Sequence, residues 1–576
     1  MKKYIFALAL ILVCAGILAK PVDSVRAEDA ARVQLKKLDF CGTISSPQPL
    51  GDQDSPLAFV FELQPQGYVV VCADDELPPI LAYSLTSEFE NASDFWLSEL
   101  ITADLGFRVS GASAAEREKC QRMWLNLSSS RAGFEQWPPQ GYSDTEGWIE
   151  TEWNQTAPYN ADCPVDPVTG QRSYAGCPAV AMAQIVNYHQ SFNGTRFDDA
   201  DDYFHNYAGR TFQIDDDHAA HDFPDWTELN TALDSLTHHY ACQQATTSAD
   251  AAALIWACGV AAKQVYSSEG SGTFAVSQAF TAFQRFGFDY CELYTPSKPD
   301  LLERMAQNIK DALPVHLAVV TPSEDAGHNV PVDGYNTDGF FHVNFGWGGT
   351  YNGWYKLPDQ LPYDLTVVEG AILDIEPRQY LMAVPDTIFF LDNESVAQGY
   401  DLELLNVSDT TLQINQITWT PYQVVDSYLE CAWYPGLPRS LEPGQSMIIY
   451  VHWVFVEGGV REIITGSISI AHSYGCYQVP IVVDASLPIL PAEDPVAQVP
   501  TLSAWPNPFS DKLELGSTAR GTLRASVFNL KGQKLATLEG EGKMSWSPGP
   551  ETPAGIYFIR DESAKNSRPL RVVKIR

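Results

Sequence analysis

Beyond its first twenty residues the chain has no uninterrupted apolar run of the ~20 residues that a membrane helix requires, so no later segment is a helical span. Positive charge is scarce. Only 36 Lys and Arg stand against 72 Asp and Glu, a formal net charge of −36 over 576 residues. So acidic a body repels phosphates, which excludes nucleic acid as a natural partner and leaves solubility outside the cell as the plain explanation. Recognised metal-ligand spacings are missing too. His218 and His221 in DDDHAAHD have no cysteine nearby, and the acidic clusters 198–202 and 215–217 lack the glycine and spacing of a calcium loop. Solvated surface is expected there, and no metal or other cofactor. His238, His239, His316, His342, His452 and His472 lie in no partner motif, while His189 closes a helix at its negative end, where a cation is favoured.

Among what is present, Cys177 carries the most chemistry. Gly176 gives a turn, Pro178 suits the first helical position, and AVAMAQIVNYH continues as a helix that is apolar on nearly every side. A thiol there meets the unpaired N–H groups and positive dipole end of a buried helix. Its pKa, ordinarily ~8.5, falls to roughly 3.5–7.5 once a histidine also pairs with it. A buried cysteine is by default an inert apolar residue, so its company decides. His328 follows Ala326-Gly327 and opens the run VPVDGY, and Asn344 lies in GFFHVNFGW; the two runs pattern as a buried hairpin with His328 at the start of one strand and Asn344 on the next. Upstream, TEWNQTAPYN offers the Gln155 amide beside the Cys177 N–H as donors to an oxyanion. Nucleophile, base, orienter and oxyanion donors together describe acyl transfer.

The strings WNQTAPYN, AGCPAVAMAQIVNYH, GHNVPVDGY and FHVNFGWGGTYNGWY, in that order, resemble the streptopain family of secreted papain-like cysteine peptidases. The resemblance covers about residues 145–376 and includes LIWACGVAAKQVYSSEGSGTFAVSQAFTAFQRFGF at 254–288. It implies Cys177 as nucleophile, His328 as base, Asn344 as orienter and Gln155 as oxyanion donor. It also implies a preference for an apolar side chain two residues before the cut, with Ser271, Gly272 and Gly327 shaping the pocket. Two positions depart from the family. Phe345 replaces the Trp that usually follows the Asn, with Trp347 kept as an aromatic lid, and Asn329 stands where a small residue commonly follows GH, so the pocket beside the base is expected to differ. The signature CGSCW is absent, although His328 lies 151 residues after Cys177, a separation of the papain kind.

The modules read as follows. Residues 1–19 have the basic start, apolar stretch and small residues of a signal peptide, and Ile11-Leu12-Val13 before Cys14 argues against a lipid anchor. Residues 28–110, with LAFVFEL and YVVVCADD, resemble a streptopain-type inhibitory prodomain; the polar, Pro/Gly-punctuated stretch 111–144 reads as a linker cut in maturation. The catalytic domain is 145–376. Short strands over 377–487 suggest an immunoglobulin-like sandwich, more simply a spacer than a binding domain, and 488–500 is a Pro-rich linker. Residues 501–576, with PNPF, NLKGQKL, GIYFIR and a basic end near +5, resemble a type IX secretion sorting domain, which implies export machinery as a partner. Eleven cysteines leave ten after signal removal and an odd nine without Cys177, so in an oxidising compartment at least one other is unpaired or intermolecular. Cys431 and Cys476 are the first pair to consider, Cys163 is free or bonded, and Cys258 reads as buried and inert.

The fold class expected is therefore α+β: a papain-like catalytic domain, an N-terminal α+β prodomain and two C-terminal immunoglobulin-like β-sandwich domains. Protein or peptide substrates and the chain's own prodomain are the expected partners. The alternatives are a surface adhesin on a degenerate peptidase scaffold, which has no physical need for a paired thiol and imidazole, and acyl transfer to an amine in place of water.

Overall fold

The computed structural model describes residues 21–574 apart from 53–54, 90–95, 242–243, 296–297, 299, 322–326, 358–366, 392–397, 421–422, 425–426, 434–435, 455–462, 485–501, 506–508, 510–511, 518–521, 530–533, 542, 550–551, 553–554 and 562–569. The expected signal peptide and Pro-rich linker lie outside the described residues.

Apolar runs in SPLAFVFELQ, YVVVC and ILAYS build the antiparallel strands Ser55–Gln64, Tyr68–Cys72 and Ile80–Ser84. The helix Ser24–Lys37, capped by the Asp23 side chain, covers one face, packing Ala27, Ala31 and Leu35 with Phe59, Phe61, Val69 and Val71. The sheet does not stop at its third strand. Ala82 and Tyr83 pair with Tyr355 and Trp354 of the strand Gly353–Tyr355, and the order continues through Phe341–Val343, Gly327–Asn336, Val315–Val320, Val368–Leu373 and Glu292–Tyr294. One twelve-stranded sheet thus joins the N-terminal module to the rest. Glu146 clamps the seam, accepting from Ser84 Oγ at 2.8 Å, Leu85 N at 3.1 Å and Thr86 Oγ1 at 3.2 Å.

The stretch expected as a linker, 111–144, holds the helix Ala114–Leu125. Ser113 and Glu116 form a reciprocal capping box, Trp124 is buried with Nε1 donating to the Leu77 carbonyl at 2.9 Å, and Arg117 pairs with Glu76 at 2.9 Å. The N-terminal module therefore runs through Leu125, and what stays largely exposed is Asn126–Gly133.

Two cores flank the shared sheet. On one face lie the helices Cys177–Tyr188, Trp226–Ala241, Ser248–Ala261 and Val276–Arg285, and every residue from Pro178 to Val186 is buried among them. The opposite face is covered by the helices Trp96–Gly111 and Leu301–Lys310. Residues 381–484 form two five-stranded sheets around a common core that includes Leu404, Ile449, Ile468 and Ile481. Cys431 and Cys476 sit on strands of different sheets there, and no disulfide joins any of the nine described cysteines. Pro488–Arg576 is a separate unit whose three- and four-stranded sheets enclose Phe509, Leu515, Trp546 and Ile559.

The histidines are more deeply engaged than their motifs suggest. His189 is half-buried against Phe288 and desolvation pushes it down to about 4, so it is neutral at the helix end where a cation was expected. His221 lies half-buried on the Phe212 ring, His239 pairs with Asp250 at 2.8 Å, and His342 pairs with buried Asp333 at 2.7 Å. The acidic clusters are likewise used: Asp202 accepts from Trp226 Nε1, and Asp201 pairs with Arg285.

Burial also lowers His205 and His472 to about 4 from the usual 6.5. Such a group stays neutral in the fold and takes a proton when unfolded, so the stability it contributes is complete above about pH 6.5 and is lost as pH falls towards 4. The thermal unfolding midpoint of the full chain is expected to drop across that window. A midpoint flat between pH 6.5 and 4 would contradict it.

Candidate active site

The turn into the cysteine helix is held from two sides. Gly176 has φ +84°, and a Cβ there would come within 2.3 Å of the Gln264 side chain. Gln264 Nε2 donates to the Ala175 carbonyl at 2.7 Å, and the Ala175 N–H donates to the Gln155 carbonyl at 2.9 Å. The helix begins at Cys177 itself, one residue earlier than expected, with Pro178 in its first turn. The segment carrying Gln155 is thereby tied two residues ahead of the thiol.

Cys177 is half-buried. Loss of solvent pushes its thiol up to about 11, against hydrogen bonds from the Asn329 backbone, the Asn329 side chain and its own backbone, which pull it down. On the neighbouring strand it is thus Asn329 that bears on the ionisation of the thiol. His328, one residue earlier, leaves the strand on the other face. Register shows the split: Asn329 lies opposite Ala318, which belongs to the core under the cysteine helix, and His328 lies opposite Val319, which belongs to the other core.

The His328 ring is buried and pushed down to about 4 by that burial. It stacks on Trp347 with centroids 4.5 Å apart, and Nε2 donates to the Phe345 carbonyl at 2.8 Å. The expected orienter, Asn344, is engaged otherwise. Its Oδ1 accepts from Gly346 N at 3.0 Å and Gln184 Nε2 at 3.3 Å, and its Nδ2 donates to the Thr151 carbonyl at 2.8 Å. The Asn344 side chain is thus bonded to Gly346, Gln184 and Thr151, and the carbonyl of the next residue, Phe345, is the acceptor for His328 Nε2. Trp347 covers one face of the His328 ring.

Of the pocket residues, Gly272 lies beside the first turn of the helix, since a Cβ on it would stand 4.0 Å from Pro178 Cδ. Ser271 is occupied locally, its Oγ donating to the Ser267 carbonyl at 3.1 Å, and Gly327 is exposed at the strand's start. Sequence reasoning missed two polar residues here. Gln184 is fully buried and joins Thr151, Trp153 and Asn344, and the signal available was a lone amide in an apolar helix. His316 was set aside for want of a partner motif, yet its Nε2 lies 2.8 Å from Asn329 Oδ1.

The N-terminal module covers the face that His328 occupies. Leu100 and Ile101 line an apolar cavity of about 80 Å³ with Val319, Val330 and Phe345. Tyr68 Oη donates to the Tyr351 carbonyl at 2.9 Å, Tyr351 N donates to the Glu88 carbonyl at 2.9 Å, and the Phe89 ring meets Tyr351 edge-on at 5.2 Å. Asn352 Oδ1 in turn accepts from Phe345 N at 2.8 Å, so a run of contacts links residues 68–89 to the carbonyl that holds the imidazole.

A buried helix opening on a thiol, beside a strand bearing a histidine, holds the residue types that thiol-dependent acyl transfer uses. Residues 153–355 match the profile of the Peptidase C10 family, and residues 19–100 match that of the Spi protease inhibitor. The first match falls on the stretch whose motifs resemble the streptopain-like peptidases. The chain is 25% identical over 445 residues to the thiol protease/hemagglutinin PrtT of Porphyromonas gingivalis, covering 70% of this chain and 48% of that protein. It is 24% identical over 366 residues to streptopain of Streptococcus pyogenes, covering 60% of this chain and 82% of that protein. The chain thus spans about half the length of PrtT. Among solved structures, a prointerpain A fragment of Prevotella intermedia is similar at 20% identity and a TM-score of 0.40, covering 59% of this chain and all of that one.

Gly176→Ala tests the turn. Its backbone conformation is one that side chains rarely adopt, at a cost of about 1–3 kcal/mol, and the Gln264 contact adds to it. The variant is expected to lose at least about 1 kcal/mol in denaturant titration and to expose the Cys177 thiol. Parental stability would show that the turn is not under this constraint.

Proposed function

We propose that the chain is the precursor of a secreted cysteine endopeptidase that hydrolyses extracellular proteins through a thioester on Cys177. The observation that carries this reading is a thiol at the N-terminal end of a buried helix, beside the strand that bears His328. In the working state the imidazole turns from the Phe345 carbonyl to the sulfur, and Gly327, with no side chain, is where the strand's first rung rotates most cheaply. His328 takes the thiol proton, the thiolate attacks the scissile carbonyl, and the Cys177 N–H with the Gln155 amide receives the oxyanion. His328 then protonates the leaving amine, and water, deprotonated by the same ring, releases the acid. Asn344, one residue from the carbonyl that holds the ring here, is placed to orient it once it has turned.

The state described is the resting one. A thiol raised to about 11 and an imidazole held neutral by burial give no ion pair at neutral pH. The N-terminal module supports that state through Tyr68, Glu88 and Phe89, which makes residues 21–125 the inhibitor and the exposed run 126–133 the place of maturation. Substrates with an apolar side chain two residues before the cut follow from the family resemblance, with Gly272, Ser271, Gly327 and Trp347 bordering their site. The two-sheet unit at 381–484 acts as an immunoglobulin-like spacer, and the last unit acts as a sorting domain read by type IX export machinery, which places the enzyme outside the cell or on its surface.

The test compares the full chain with Cys177→Ala under reductant. The parent is expected to cut itself within 126–133 and then hydrolyse casein, and the variant to do neither, with kcat/KM reduced by at least about a thousandfold. Equal processing and hydrolysis by the two proteins would remove the assignment.

A further inference from the structure

Asp166 and Arg210 are charged, buried and unused by the chemistry above. The carboxylate is fully buried and the arginine is 4% exposed, with Arg210 Nε 3.0 Å from Asp166 Oδ2 and 3.2 Å from Oδ1. Arg210 opens the second strand of the hairpin Tyr203–Tyr207 and Arg210–Ile214, and Asp166 lies in a separate turn, where Oδ1 also accepts from Val168 N at 2.8 Å. A third segment is tied to the same group. Oδ2 accepts from Ser268 N at 2.9 Å and from Ser268 Oγ at 2.8 Å. Burial alone would raise the carboxyl; the hydrogen bonds from Ser268, Val168 and Arg210 outweigh it and hold Asp166 well below the usual carboxylate range.

Ser268 belongs to a loop closed at its base, where Val265 and Gly272 exchange both backbone hydrogen bonds at 2.9 and 3.1 Å. The loop meets the cysteine segment twice. The Ser267 carbonyl accepts from Tyr174 N at 3.1 Å, three residues ahead of Cys177, and a Cβ on Gly272 would stand 4.0 Å from Pro178 Cδ. Among the described residues no other group comes within 4 Å of that Cβ position, so the space over Gly272 is open beside the first turn of the helix. Residues 267–272 read SSEGSG, with two glycines and no apolar side chain. Packing cannot fix such a loop, and hydrogen bonds must do so. The hairpin supplies two further ties: Arg210 Nη1 pairs with Glu269 at 3.0 Å, and Tyr203 Oη donates to the Gln264 carbonyl at 2.7 Å, just ahead of the loop.

We propose that Asp166 and Arg210 are positioning residues of the peptidase, a buried clamp that sets the loop 267–272 against the first turn of the cysteine helix and so fixes the substrate-binding surface beside Cys177. The inference rests on the reading of Cys177 as nucleophile and of Gly272 as a border of the substrate site. The clamp touches neither the thiol nor the imidazole, so it acts on binding. A loop released from Asp166 regains backbone freedom that substrate must remove again, which weakens the hold on ground state and transition state alike. Arg210 is the counter-charge that lets a buried carboxylate accept those donors while ionised.

The experiment pairs a structural readout with a kinetic one. Hydrogen exchange of the peptide spanning 265–272 is followed by mass spectrometry in the full chain, with the helix Ser248–Ala261 reporting that each variant is folded. KM and kcat are measured after self-processing under reductant, on a fluorogenic peptide with leucine two residues before the cut. Ser268→Ala removes one donor, and Asp166→Asn keeps the size but sets an NH₂ group against donors. Loop exchange and KM are both expected to rise about threefold or more in Ser268→Ala and about tenfold in Asp166→Asn, with kcat within about twofold of the parent. Ser268→Thr, which restores the hydroxyl, is expected to bring KM back to within about twofold of the parent. Should Asp166→Asn not fold, Ser268→Ala decides. Parental KM beside faster loop exchange, a loss carried by kcat alone, or parental exchange at 265–272 would each overturn the proposal. If the parent hydrolyses nothing, the function assigned to Cys177 fails, while exchange still decides whether the clamp holds the loop.

Discussion

Consecutive residues of a strand face opposite ways, and that constraint governs the chemistry of this chain. While Gly327–Asn336 stays paired through its first rung, Val320 with Gly327 and Val319 with His328, the cysteine helix meets residue 329 and the other core receives residue 328. Cys177 and His328 thus lie on opposite faces of the strand's sheet. Everything notable about the site's electrostatics follows. The thiol, desolvated without a cation beside it, stays protonated, and the imidazole, packed between Trp347 and an apolar core, stays neutral.

Continuity of the sheet makes that constraint conditional on the N-terminal module. The strand Ile80–Ser84 is hydrogen-bonded to Gly353–Tyr355, so residues 21–125 are added to the sheet as extra strands. Their side chains then complete the core on the His328 face, and Tyr68, Glu88 and Phe89 fasten the loop 345–352 whose first carbonyl holds the ring. Removing the module would strip an edge from the sheet, uncover Val319 and Val330, and free that loop. The geometry around His328 is coupled to the N-terminal module through ordinary sheet pairing.

Much of this was legible in the residues. The glycine–cysteine–proline turn and its all-apolar helix were readable because a buried helix has no polar face and a positive φ calls for glycine. The order of the motifs pointed to the family. Other features were legible but overlooked: Ser113 and Glu116 spell a capping box inside what reads as linker, and the box does start a helix. The rest depends on contacts between strands. His316 and Asn329 are thirteen positions apart and meet only through register, and nothing local distinguishes Asn344 from the Phe345 carbonyl as the acceptor for His328. Backbone acceptors are invisible to a reading that looks for side-chain motifs. The disulfide expectation failed for the same reason, since Cys431 and Cys476 share a β-rich region but lie on different sheets.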